Sequence, residues 1–199
     1  GKAANGGTPL IGALNAAGNY FKKDEPWRTD PSNESSALLE CRQNFTILMT
    51  DGYYSDSISG VNNQDGTDGT TISGPKNPDF TYKAENPFTD SKSNTLADVA
   101  MKFWKTDLRP DLDNTVPVAG INPAFWQHMV TFGVGLGVSG TITAQQGFDA
   151  ITAKSAVNWW GGDTRQNKIN DLLHASVNSR GGFFSANKPS TFASGLANT

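Results

Sequence analysis

Two oxygen-bearing side chains stand where binding chemistry is expected: the hydroxyl of Thr8 and the carboxylate of Asp51. Asp51 directly follows the apolar run Phe45-Thr46-Ile47-Leu48-Met49-Thr50, and ligands of open parallel sheets gather at the carboxyl ends of strands. Thr8 opens an apolar-periodic segment and is placed to begin a helix. Oxygen donors of this kind suit a hard cation such as Mg²⁺, which takes few protein ligands and keeps several waters. The same residues also have a plain structural reading, Thr8 as a helix N-cap and Asp51-Gly52 as a turn.

Other candidates are weaker. The polar stretch from Asn62 to Gly69 holds Asp65 and Asp68 but fits no EF-hand frame, so a solvated loop is expected. Gly135-Leu136-Gly137-Val138-Ser139-Gly140 matches the spacing of a dinucleotide fingerprint, yet the acidic residue expected about 20 positions later is missing. Glycines there serve equally to let helices pack close to a sheet. His128 and His174 have no nucleophile motif beside them and read as structural histidines, His128 at the rim opposite Asp51. Trp126, Trp159 and Trp160 read mainly as buried anchors. Cys41, the single cysteine, is either a free buried thiol or the partner of a cysteine elsewhere.

Several elements must position these groups. Leu10, Leu14, Ala17 and Phe21 recur at helical spacing after Thr8 and Pro9. The run 45–50 lacks alternation and reads as a strand buried on both faces. Residues 53–93 form a long insertion with little hydrophobic pattern, a functional excursion or a mobile segment. Leu96, Val99, Ala100, Phe103 and Trp104 predict a helix with a capping box at Thr95 and Asp98, ending by Arg109. Met129–Val138 predicts a second buried strand. Helices follow near 143–157 and 166–178, then a short strand at 182–186 and a closing helix from Pro189 to Leu196. This alternation is α/β with a parallel sheet.

With 36% apolar and 18% charged residues among 199, the chain can build one core with long polar loops. A net charge of −3, without any basic run, argues against nucleic acid as a partner. No apolar stretch is long enough to span a bilayer as a helix. The residues from Gly1 to Gly7 show neither an initiator Met nor a leader, so the sequence reads as beginning inside a larger protein or after processing.

At this point a family resemblance enters. Gly6-Gly7-Thr8-Pro9-Leu10, followed by Phe45-Thr46-Ile47-Leu48-Met49-Thr50-Asp51-Gly52, resembles the second and third metal-binding segments of von Willebrand factor A-type (VWA) domains. The stretches 106–114, 122–131 and 169–181 are similar to the PilY/PilC family of type IV pilus tip-associated adhesins and biogenesis factors. The resemblance implies a three-layer, doubly wound, mostly parallel sheet, with residues 1–199 forming the later half of the domain. It implies that Thr8 and Asp51 join an earlier D-x-S-x-S motif around Mg²⁺, Mn²⁺ or Ca²⁺. No D-x-S-x-S occurs in this chain: Asp30-Pro31-Ser32-Asn33-Glu34 ends in Glu, and Asp56-Ser57-Ile58-Ser59 has the wrong spacing.

The implied role is non-enzymatic: pilus assembly, twitching motility and attachment to a host or other surface. The implied partners are minor pilins or pilus tip proteins, the remainder of the same protein and a surface ligand. The implied location is the bacterial cell surface, at the pilus tip or outer membrane. A metal-free scaffold that docks minor pilins or another domain is the alternative. In either case the strand at 45–50 loses its natural neighbour and offers an apolar edge, which is expected to be covered by another segment or chain.

Overall fold

The uninterrupted apolar runs become strands. In the computed structural model, which describes residues 7–186, β1 covers Asn44–Thr50, β4 covers Met129–Leu136 and β5 covers Phe183–Ala186. They pair in the order β1-β4-β5, both pairings parallel, with Ile47 opposite Phe132 and Gly133 opposite Phe183. The α/β class with a parallel sheet is therefore observed. Within the insertion, β2 (Thr71–Ile72) and β3 (Phe80–Thr81) make a small antiparallel pair.

Among the described residues four α-helices accompany the sheet: α1 (Leu10–Tyr20), α2 (Leu96–Trp104), α3 (Ala144–Ala153) and α4 (Thr164–Asn178). The capping box at Thr95 and Asp98 is formed as its spacing predicts. Two boundaries differ. The first helix does not use Thr8 as its cap; Pro9 takes that position and supplies no side-chain bond. The helix expected to reach 157 stops at Ala153, where Lys154 adopts φ +50° and ends the hydrogen-bond ladder. The closing helix expected over 189–196 lies outside the described residues.

Residues in register across a parallel pair share a face of the sheet. One face carries Leu48 and Met129, which cluster with Leu10, Ile11 and Leu14 of α1, Leu96, Val99 and Phe103 of α2, and Leu172 and Ala175 of α4. Each buried aliphatic side chain there contributes about 1.5–3 kcal/mol by leaving water. Gly133 lets α4 lie close: a Cβ at that position would stand 2.8 Å from Ser176 Oγ and 3.1 Å from Leu172 Cγ. The opposite face at β1 is open. Phe45, Ile47 and Met49 are 53%, 55% and 44% exposed, and Phe45 leans on Phe132 with ring centroids 5.8 Å apart.

A second cluster joins the insertion to the helices. Ile72, Tyr82 and Phe88 are buried against Met101, Trp104, Trp126 and Trp159. The indole N–H groups of Trp104, Trp126 and Trp159 donate to Asn122 Oδ1, Trp104 O and Pro87 O, so these anchors enter the core with their polar edges satisfied. The Arg180 guanidinium sits 3.7 Å and 3.6 Å from the ring centroids of Phe88 and Trp104. The insertion is thus packed, not a loose excursion.

α4 is enclosed from Ile169 to Asn178, polar residues included. Asp171 is the clearest case. Its carboxylate accepts from Tyr54 Oη at 2.7 Å and from the backbone N–H groups of Leu96 and Ala97 at 2.9 Å and 3.0 Å. One side chain of α4 therefore receives the opening amides of α2 and fastens the segment after β1. Burial pushes the Asp171 carboxyl up to about 6, against the downward pull of those donors. Asp171→Ala strands three buried donors, and each costs about 1–3 kcal/mol. The expected loss of about 3–5 kcal/mol is measurable by urea unfolding, with Tyr54→Phe losing about 1–2 kcal/mol.

Candidate metal-binding rim

At the carboxyl end of β1 the chain turns at once. Thr50 Oγ1 donates to Gly52 O at 2.9 Å and accepts the Gly52 N–H at 3.2 Å, which leaves the Asp51 side chain exposed. Four residues on, Ser55 reaches the segment before α1. Its Oγ accepts the Thr8 N–H, and its own N–H donates to Thr8 O, both at 3.2 Å. The half-buried Thr8 is thereby joined to the loop that begins at Asp51. The next residue, Asp56, spreads its carboxylate over the start of α1, accepting from Gly12 N at 2.8 Å and Ile11 N at 3.4 Å.

The local reason lies in the sequence of α1. A helix begins with N–H groups that lack partners, and Pro9 at the cap has no side-chain acceptor to offer them. Asp56 fills that role from a distance, with its negative charge at the positive end of the helix dipole. The hydroxyls and carboxylate of this corner are all hard oxygen donors, the chemistry of a Mg²⁺, Mn²⁺ or Ca²⁺ site. Nothing in the sequence marks Ser55 or Asp56 for this place; the one usable signal is a helix that starts on a proline with no cap of its own. The corner is anchored from behind by Tyr54, whose carbonyl accepts from Lys168 and whose hydroxyl donates to Asp171.

The glycine run beyond β4 is a packing device. A Cβ at Gly140 would fall 2.1 Å from Asn170 Oδ1, and that oxygen accepts from the N–H groups of Thr141 and Ile142 at 2.9 Å and 3.2 Å. Asn170 thus occupies the ground before α3 where a phosphate would have to sit, and α3 opens with a capping box of its own at Thr143 and Gln146.

The stretch from Asn62 to Gly69 departs from the solvated loop that its composition suggests. Asp65 is fully buried, because the insertion folds back onto α2 and α4. Its carboxylate accepts from Asp90 N at 3.2 Å and from Asn178 Nδ2 at 3.0 Å. Burial pushes its carboxyl up to about 7, while the neighbouring His174 pulls the other way. Cys41 is a free, exposed thiol rather than a buried one. Trp126 and Trp159 are buried anchors as expected.

His128 lies at the amino end of β4, the rim opposite Asp51, and is buried. Its Nδ1 stands 2.6 Å from Trp126 O, and its Nε2 stands 2.9 Å from Asn122 Nδ2. The carbonyl only accepts and the amide nitrogen only donates. The neutral ring with its proton on Nδ1 satisfies both partners.

No family model matches the chain, and no solved structure matches it. Curated relatives do. The type IV pilus biogenesis factor PilY1 of Pseudomonas aeruginosa strain PAK is 36% identical over 215 residues, covering 94% of this chain. The PilY1 proteins of strains PAO1 and UCBPP-PA14 are 34% and 35% identical over the same share. The chain spans about 18% of the length of each of these relatives. Among the described residues no helix is long and apolar enough to cross a membrane.

Burial depresses the pKa of His128 from 6.5 to about 4. Between those values the native chain binds fewer protons than the unfolded chain, so this residue makes stability fall as pH drops through the window. The full effect is about 3 kcal/mol at pH 4. His128→Asn removes that acid-sensitive part, so the stability difference between wild type and variant shrinks by about this amount from pH 7 to pH 4. Asp171, with its raised pKa, titrates in the opposite sense but cancels from the difference. Paired urea titrations across the range provide the check.

Proposed function

As the chain belongs to the PilY1 family of type IV pilus biogenesis factors, we propose that it is the later half of a VWA-type module that works in pilus assembly and surface attachment by binding, not by catalysis. In this reading Thr8 and Asp51 supply two ligands of a divalent cation, Mg²⁺, Mn²⁺ or Ca²⁺. The remaining protein ligands come from a D-x-S-x-S segment elsewhere in the same protein. A carboxylate from a partner completes the coordination sphere, so that the charge of the ion becomes binding energy at an interface.

The observation that carries this reading is the corner at the end of β1, where Ser55 ties the Thr8 segment to the loop that starts at Asp51. The exposed Asp51 lies at the carboxyl end of β1, the ligand-binding end of the sheet, and among the described residues it is in no ion pair. The open row of Phe45, Ile47 and Met49 supports the same reading. A strand at a sheet edge with an apolar face invites a neighbour, and the remainder of the same protein is the natural source of one. Minor pilins or other tip proteins are the partners that the module would then present to the pilus, at the cell surface.

The decisive experiment is calorimetric titration of the full-length protein with Mg²⁺, Mn²⁺ and Ca²⁺, comparing wild type with Asp51→Ala and Thr8→Ala. Each variant is expected to weaken one site by about tenfold or more, and Asp51→Ala to reduce surface piliation and attachment. Because the Asp51 side chain is exposed, its removal leaves the unfolding midpoint unchanged. Equal affinity for all three ions together with normal piliation in Asp51→Ala would overturn the rim site and favour the scaffold that needs no ion there.

A further inference from the structure

The insertion meets α4 at a buried set of side chains that includes neither Thr8 nor Asp51. His174 is fully buried and stacked on Trp159, the ring centroids 4.1 Å apart and the planes within 8°. Its Nε2 stands 2.7 Å from Phe88 O. A carbonyl can only accept, so Nε2 carries the proton. That leaves Nδ1 pointing inward, 3.5 Å from Asp90 Oδ2, buried and with no hydrogen-bond partner. Asp65 Oδ2 lies 3.8 Å from Nε2 of the same ring. One donor atom from each of Asp65, Asp90 and His174 falls within 4.8 Å of the others.

Each of these three groups is held in place by a second bond. Asp90 accepts from Trp160 Nε1 at 2.6 Å and from Lys92 N at 2.6 Å. Asp65 accepts from Asp90 N and Asn178 Nδ2, and His174 donates to Phe88 O. Metal-binding imidazoles characteristically give their other N–H to a backbone carbonyl, and metal-binding carboxylates are themselves hydrogen-bonded. Asn178 Oδ1 is a further buried oxygen without a partner. The nearby ammonium of Lys105 is occupied by the carbonyls of Gln64 and Thr67, so it leaves these carboxylates unpaired. The buried Asp65 and the partly buried Asp90 flank the His174 ring, one near each nitrogen, and with its unpartnered Nδ1 they form a polar pocket suited to a cation.

We propose that Asp65, Asp90 and His174 bind a divalent transition-metal ion, with Zn²⁺ preferred, which staples the insertion to α4. Imidazole ligation selects Zn²⁺ and its neighbours over Mg²⁺ and Ca²⁺, whereas the all-oxygen rim has the opposite preference. Three protein ligands leave the fourth tetrahedral position to water or to Asn178 Oδ1. Ligand atoms about 2.0–2.2 Å from Zn²⁺ stand about 4 Å apart at most, so the trio closes slightly on loading.

The test uses full-length protein stripped with a chelator and titrated with ZnCl₂ alone, and in parallel with Mn²⁺, Ca²⁺ and Mg²⁺. Zn²⁺ is expected to raise the melting temperature, and Co²⁺ to give a visible absorption band while quenching the fluorescence of Trp159 and Trp160. Asp90→Asn and His174→Gln should each weaken Zn²⁺ binding by tenfold or more. His174 is buried in the core, so Asp90→Asn, at a partly exposed position, carries the comparison if the His174 variant does not fold. Asp51→Ala should retain both the Zn²⁺ affinity and the Co²⁺ quenching, which separates this site from the rim. Absence of a Zn²⁺-dependent shift in wild type, or unaltered Zn²⁺ affinity in Asp90→Asn, would overturn the proposal. Either result would leave the three side chains as an ion-free polar junction between the insertion and α4.

Discussion

The structure depends on a helix whose later part has no water-facing side. From Ile169 to Asn178 every residue of α4 is buried, and the side chains of Asn170, Asp171, His174 and Asn178 in that span bind other parts of the molecule. Asn170 takes the amides that lead into α3, Asp171 takes those that open α2, and Asn178 reaches Asp65 in the insertion. Buried polar groups are costly unless they are paired, so these contacts specify one arrangement of the surrounding loops and exclude others. The hydrophobic clusters provide bulk stability. The polar residues of α4 decide where each loop goes.

This division explains what could be read in the residues and what could not. The strands were legible because runs such as Phe45–Thr50 and Met129–Leu136 are apolar without interruption, although the burial on both faces that such a run predicts fails at β1, where Phe45, Ile47 and Met49 are exposed. α2 was legible from its period and its capping box. α4 was legible as a helix but not as an enclosed one: Asn170, Asp171 and His174 look like a solvent face until their partners, scattered from Tyr54 to Thr141, are brought to them. The same limit hid Asp65. In a stretch of Asn, Asp and Gly, composition points to water, and only the return of the insertion onto α2 and α4 buries it.

The rim shows the opposite balance. Thr8 and Asp51 stand out in the sequence by their surroundings, a helix start and the end of a parallel strand, and in the fold Ser55 joins the Thr8 backbone to the loop that begins at Asp51. What spacing could not supply was the cap of α1. Pro9 leaves the helix amides open, and the answer, Asp56, comes from a loop more than forty residues away in sequence. The corner is consequently held by backbone and carboxylate bonds that leave the exposed side chain of Asp51 out of the structural framework.

The pairing of β1 has a consequence for biosynthesis. Among the described residues, Asn44 to Thr50 pair with Met129 to Gly135, which follow the insertion and α2 in the chain. Contacts so distant along the chain form slowly, because a long loop must close before they return any stabilisation. Until then Phe45, Ile47 and Met49 emerge as an unshielded sticky segment of the kind that draws nascent chains into aggregates. A chain built on this order therefore has reason to be shielded until the whole sheet is available.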